Sequence, residues 1–345
     1  MSAHEQFDMI VEALKADRML HTLLAIPPSF YSITFGLVGL ARVWHLAGSL
    51  YGLSAAIGDA LFLVAAVVFL LFFTVLVFKL VLAPKTVLAD LTHAVIGPSF
   101  SLLPITGMLL AVGLEPYAFG AARILFLVFF VATVLLGGWY TGQWVAAALD
   151  ADTFSPGYFL PTVAGGLLGA DSAASFGLTG LGWMSFGIGI ISWLALGPII
   201  LNGLFFRPGL PAAFIPTLAI VIVPPVIAGN AYFVLTGGRI DLLVYVLAGY
   251  VVLMTLVQLR LVPLYLKLKF SPGFWAFTFA YAATATYALR WIHLKQFTGA
   301  AMLGYVVLAA ITLFIGGIAL RSLVALRQGK FLSAPAVRGT RRSDD

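Results

Sequence analysis

The chain has 345 residues, 62% of them hydrophobic and only 9% charged, with a mean hydropathy of +1.07. Soluble domains carry about a quarter of their residues as charges. This composition therefore places the chain in a membrane, and at about 20 residues per crossing little is left for a separate soluble domain. There is no cysteine, and His4, His21, His45, His93 and His293 show no paired ligand spacing, which argues against thiolate chemistry, iron–sulfur clusters and a metal centre. No cofactor is implied.

Residues 1–24 carry Glu5, Asp8, Glu12 and Asp17 and lack the basic start and short apolar core of a signal peptide. Phe7, Ile10, Val11 and Leu14 recur at helical spacing. The segment reads either as an amphipathic helix on the membrane surface or as a frayed polar terminus. From residue 25 to 326, hydropathy and breaks at charge, Pro and Gly predict ten apolar spans: 25–47, 55–82, 94–113, 117–145, 157–176, 179–203, 209–236, 241–266, 273–292 and 299–326. Residues 327–345 form a polar, basic, disordered tail in this reading. The expected class is an all-α integral membrane protein of five helical hairpins.

Net charge is +6, and the placement of the basic residues shows that they mark topology rather than a nucleic-acid surface. With the N-terminus inside, fourteen of the 19 Lys and Arg fall at cytoplasmic ends, against Arg42, Arg123, Arg239, Arg290 and Lys295 outside. Cytoplasmic loops of membrane proteins are enriched in Lys and Arg, so both termini are expected in the cytoplasm.

Odd and even spans differ in proline. Pro27 and Pro28, Pro98 and Pro104, Pro161, and Pro216, Pro224 and Pro225 lie in spans one, three, five and seven, and Pro272 precedes span nine. Even spans have none except Pro198 and Pro263, toward their ends. Proline frees a backbone carbonyl that needs protein or water nearby. The near alternation favours an inner ring of odd helices around an aqueous path, set against the general frequency of proline in membrane helices.

The odd spans offer hydroxyls and amides where cation carriers place carboxylates, which suits anion passage, although many such groups serve only helix packing. Pro28, Ser32, Pro104, Pro161, Thr162, Pro224 and Thr278 are the candidate lining residues. Asp171 is the exception among the acids, which otherwise fall at span ends. It reads as a lumenal selectivity or proton site or, since Asp-Ser-Ala-Ala suits a helix start, as an N-cap or loop residue at the outer end of span five. Gly165 and Gly169 form a GxxxG that indicates close helix packing at most. No Walker A, GxSxG or HExxH motif is present, and no catalytic constellation gathers in one layer, so no enzyme is expected.

Several strings together carry a resemblance: PPSFYSITFGLVGL from Pro27, HAVIGPSFSLLPITGML from His93, YFLPTVAGG from Tyr158, FGIGIISWLALGPIIL from Phe186, LRLVPLYL from Leu259 and FWAFTF from Phe274. In order and spacing they resemble the tellurite-resistance/dicarboxylate transporter family, which includes bacterial TehA proteins, fungal malate and sulfite transporters and plant slow anion channels. The resemblance covers about residues 25–325. It implies a homotrimer in the inner membrane, each protomer holding a five-helix pore for small inorganic or organic anions. It also implies a phenylalanine gate at the last aromatic of the FWAFTF string, Phe279. Thr278 replaces the family's usual Ser, and Gly165 and Gly166 stand near a position where some relatives carry Asn. The alternative within the same resemblance is a proton-coupled carrier of C4-dicarboxylates, sulfite or tellurite-type oxyanions with Asp171 as its titrating group.

Overall fold

The computed structural model describes residues 26–146, 154–207 and 209–331. The expected N-terminal amphipathic helix, Asp150, Asp152 and most of the tail lie outside these residues. Every described regular element is helical, and each of the ten apolar segments contains a long helix: α1 (Tyr31–Tyr51), α2 (Ala56–Leu82), α3 (Leu102–Leu114), α4 (Phe119–Ala146), α5 (Gly165–Ser175), α6 (Thr179–Phe206), α7 (Val223–Leu235), α8 (Leu242–Tyr265), α9 (Trp275–Lys295) and α10 (Ala300–Arg327). A separate nine-residue helix, Pro84–Thr92, follows α2.

Counted with the 3-10 turns that lead into α1, α3 and α7, eight of the ten are long and apolar enough to cross a membrane. The other two are α5 and α9. The α-helical part of α5 has only eleven residues, and α9 carries Arg290, His293 and Lys295 together with several threonines. Both are lined with buried residues, and a helix surrounded by other helices does not need the greasy circumference that lipid contact demands.

Burial divides the helices. In the apolar windows of α1, α3 and α7, 50%, 72% and 72% of residues are buried, whereas in α2, α4, α6, α8 and α10 the share is 11–28%. The buried helices pack in cyclic succession, α1 on α3, α3 on α5, α5 on α7, α7 on α9 and α9 back on α1, and each exposed helix packs on the buried helix that precedes it. Outward faces present Leu63 and Leu71 on α2, Ile124 and Leu135 on α4, Met184 and Ile191 on α6, Leu256 on α8 and Leu313 on α10. So large an apolar surface is stable only against lipid or another apolar face.

Proline sets how the buried helices begin. Each is preceded by a 3-10 turn with Pro at its first or second position: Pro28–Phe30, Gly97–Ser101, Pro156–Phe159, Ile215–Ile222 and Pro272–Phe274. A proline there lacks an N–H that would have had no intrahelical acceptor anyway. Ahead of α5 the chain also makes a π-helical turn, Leu160–Ala164, at Pro161. Span seven is shorter than expected. It becomes helical only at Ile215, after the turn that follows Pro211. The short helix and α2 anchor the start of α1, because buried Lys79 donates to the Ile26 carbonyl (2.5 Å) and lies 3.9 Å from Asp90. Phe331, assigned to the tail, is buried with its ring edge-on to Phe30.

Close approach between helices depends on missing side chains. A Cβ on Gly166 of α5 would lie 2.5–2.9 Å from backbone atoms of Gly189 and Ser185 on α6, and Ser185 Oγ donates to the Gly166 carbonyl at 2.7 Å. The Gly165 and Gly169 positions are similarly closed, by Thr133 and by Ser185 and Phe130.

Candidate functional site

A cavity of about 240 Å³ opens where the five buried helices begin. All five contribute to its wall, through Ser29 and Ser32, Ser99 and Leu102, Gly157 and Val163, Thr217 and Pro224, and Pro272 and Trp275. Among the described residues, no Asp, Glu, Lys or Arg lines it, and none of the five starts carries an acid in its first turn. An α-helix N-terminus presents unpaired N–H groups and about half a positive charge. Five such ends facing one uncharged cavity favour an anion without holding it by a full charge.

Phe279 is the inner wall of this cavity. It lies on α9, about 6 Å along the axis from Trp275, and its ring stacks on Phe35 of α1 with centroids 3.6 Å apart and planes 14° apart. Gly39, one turn beyond Phe35, lets the ring lie against the α1 backbone, since a Cβ there would be 3.1 Å from Phe279 Cδ2. On the other side of the ring is a second, much smaller cavity of about 20 Å³, lined by Gly39, Arg42, Leu168, Asp171, Ile227, Asn230, Phe279, Ala283 and Thr286. Phe279 and Ile227 are the residues common to both cavities.

Neighbouring contacts fix the face that α9 presents. Phe277 points elsewhere, into an aromatic cluster with Tyr265 (4.9 Å), Phe274, Tyr281 and Phe314. Buried Gln258 of α8 accepts from the Tyr265 and Tyr281 hydroxyls at 2.9 and 3.0 Å and donates to the Leu218 carbonyl at 3.1 Å. Trp275 Nε1 donates to Ser322 Oγ of α10 at 2.9 Å.

Among the candidates, Ser32, Pro224 and Phe279 line the larger cavity, and Asp171 and Phe279 the smaller. Pro28, Pro104, Pro161, Thr162 and Thr278 are buried outside both linings. Thr278 packs into the gap left by Gly36, and its hydroxyl donates to the Trp275 carbonyl at 2.7 Å. The N-cap reading of Asp171 does not hold. Asp171 lies within α5, whose cap position is Ala164, and α6 is capped at Leu178. Its carboxylate instead accepts from Arg42 Nη2 of α1. In the sequence Arg42 stands only as one of the basic residues at outer span ends, and no local signal there points to its pairing with Asp171.

Residues 25–323 match the voltage-dependent anion channel family. The chain belongs to that family. It is also 28% identical, over 307 residues, to the protein named tellurite resistance protein TehA homolog of Haemophilus influenzae, covering 89% of this chain and 92% of that one. Members of the voltage-dependent anion channel family are channels or transporters, so a membrane-transport role follows for this member, and the two cavities separated by one aromatic ring are where its geometry bears on that role.

Proposed function

We propose that the protein passes small anions along the axis of its five buried helices and that Phe279 closes this path. The carrying observation is the position of the Phe279 ring, which is stacked on Phe35 and separates a cavity lined by five helix N-termini from a smaller polar one. A phenyl ring blocks a narrow lumen by filling it and by making the constriction too apolar for a hydrated ion. In this reading the odd helices α1, α3, α5, α7 and α9 are the inner ring, all ten helices span the membrane as five hairpins, and the larger cavity opens to the cytoplasm. The basic asymmetry of the loops supports both termini on that side, and the resemblance supports a homotrimer in the inner membrane.

The alternative, a proton-coupled carrier of C4-dicarboxylates, sulfite or tellurite-type oxyanions, draws on the name of the Haemophilus relative and on the buried carboxylate of Asp171. Pairing of that carboxylate with Arg42 works against it, because the carboxylate is already engaged as the partner of a partly buried cation. Anion flux into liposomes under an imposed voltage, with and without a proton gradient, separates the readings. Flux that follows voltage alone supports the channel, and flux that requires the gradient overturns it in favour of the carrier.

A further inference from the structure

On α9, Phe279, Ala283 and Thr286 line the smaller cavity, and their spacing of four and three residues continues to Arg290. That stripe is one helix face. Phe35, Gly39 and Arg42 form the matching stripe on α1. Beyond the ring, therefore, two arginines from neighbouring helices approach the carboxylate of Asp171, the one acid at this site among the described residues. Arg42 bonds to it directly, and Arg290 lies within electrostatic range of both.

The group is unbalanced. Asp171 and Asn230 are 2% and 8% exposed, and the buried atoms Arg42 Nη1, Arg290 Nε, Asp171 Oδ1 and Asn230 Oδ1 have no hydrogen-bond partner. Asp59 and Asp241 do not supply the missing charge, because Asp59 pairs with His45 and Asp241 with Tyr232 and Arg239. Buried charges are stable when paired, and buried donors when bonded. Two guanidinium groups against one carboxylate leave one positive charge and unused donors beside a cavity of about 20 Å³, enough for one water-sized group.

We propose that Arg42 and Arg290 form a binding site for a small monovalent inorganic anion on the far side of Phe279, and that Asp171 is a tethered counter-ion competing with that anion for Arg42. The proposal rests on the anion path described above and names the site at which the permeating ion pauses. With the ring in place the space suits a halide, and larger oxyanions enter only when Phe279 moves. Asp171 keeps the site from trapping its ion, since an arriving anion must compete with this carboxylate for Arg42 instead of neutralising a bare arginine pair. Conduction requires binding weak enough to release.

The test measures binding and flux separately on the purified full-length protein. In detergent, melting temperature is followed as chloride replaces gluconate at constant ionic strength. The wild type should be stabilised by chloride in a saturable way. Arg290→Gln should raise the half-saturating chloride concentration at least about tenfold, Asp171→Asn should lower it by a similar factor, and Arg290→Lys should fall between wild type and Arg290→Gln. Arg123→Gln, an exposed basic residue at the same end of the molecule, controls for surface charge and should change nothing. Equal melting curves in chloride and gluconate, or Asp171→Asn and Arg290→Gln variants with wild-type half-saturation, overturn the site. If Arg290→Gln does not fold, Asp171→Asn decides alone. Flux through Phe279→Ala liposomes is scored independently: chloride stabilisation without flux retains the site and rejects the path, and flux without stabilisation does the reverse.

Discussion

Replacing Phe279 by alanine tests the proposed gate directly. For the ring to leave the axis in the native protein it must first unstack from Phe35, and such a pair is worth about 0.5–1.5 kcal/mol. It must also expose apolar surface now covered, up to about 150–250 Å² for a whole aromatic side chain, which at about 25 cal/mol per Å² sets a ceiling near 4–6 kcal/mol. Because the ring already borders a cavity on each side, only part of that ceiling applies. Taking the unstacking term as the floor, Phe279→Ala should raise unitary or macroscopic anion conductance by at least about two- to twelvefold, measured in planar bilayers with purified protein whose assembly matches wild type by size-exclusion chromatography. Phe35→Ala removes the support but leaves the blocking ring, so its increase should be smaller. Phe277→Ala is the control. Its ring packs against Tyr265 and Tyr281 and lines neither cavity, so it should leave conductance unchanged while destabilising the fold by about 3–5 kcal/mol. A silent, well-folded Phe279→Ala protein, or a Phe277→Ala protein that opens equally, refutes the gate.

Cysteine labelling is convenient because the native chain has none. Single cysteines at Ser2 and Ser343 should resist an impermeant reagent added to intact cells, and labelling of either from outside rejects the proposed topology. Gly166→Ala places a methyl 2.5–2.9 Å from the backbone of α6, which cannot turn aside as a side chain can. It should cost about 1–3 kcal/mol or more, seen as reduced melting temperature or loss of folded yield. Ser322→Ala strands the buried Trp275 indole N–H and should cost about 1–3 kcal/mol, whereas Ser322→Thr should retain much of the stability. At the loop before α8, the Tyr232 hydroxyl, helped by the N–H groups of Val244 and Leu243, holds the Asp241 carboxyl below its usual range. Its stabilising contribution is therefore complete above the unfolded pKa, about 4, and is lost as pH falls through the lower folded value. Asp241→Asn should flatten the acid side of the melting-temperature profile, and an unchanged profile rejects that assignment.

Composition and period alone determined that the chain belongs in a membrane and where its helices lie, because apolar length and helix-breaking residues act within one segment. Proline marked which helices are buried for the same local reason. The family string singled out Phe279, which composition could not do among 28 phenylalanines. What the sequence could not decide was which faces meet. Arg42 and Asp171 are 129 residues apart, and nothing local to either requires the other. The spacing of Phe279, Ala283, Thr286 and Arg290 was legible as a stripe, yet only packing showed that this stripe faces a cavity and that the one containing Thr278 faces Gly36. The convergence of five helix N-termini on one uncharged cavity is tertiary in the same sense: each proline-led start is local, but their electrostatic sum exists only once the helices are arranged around a common axis.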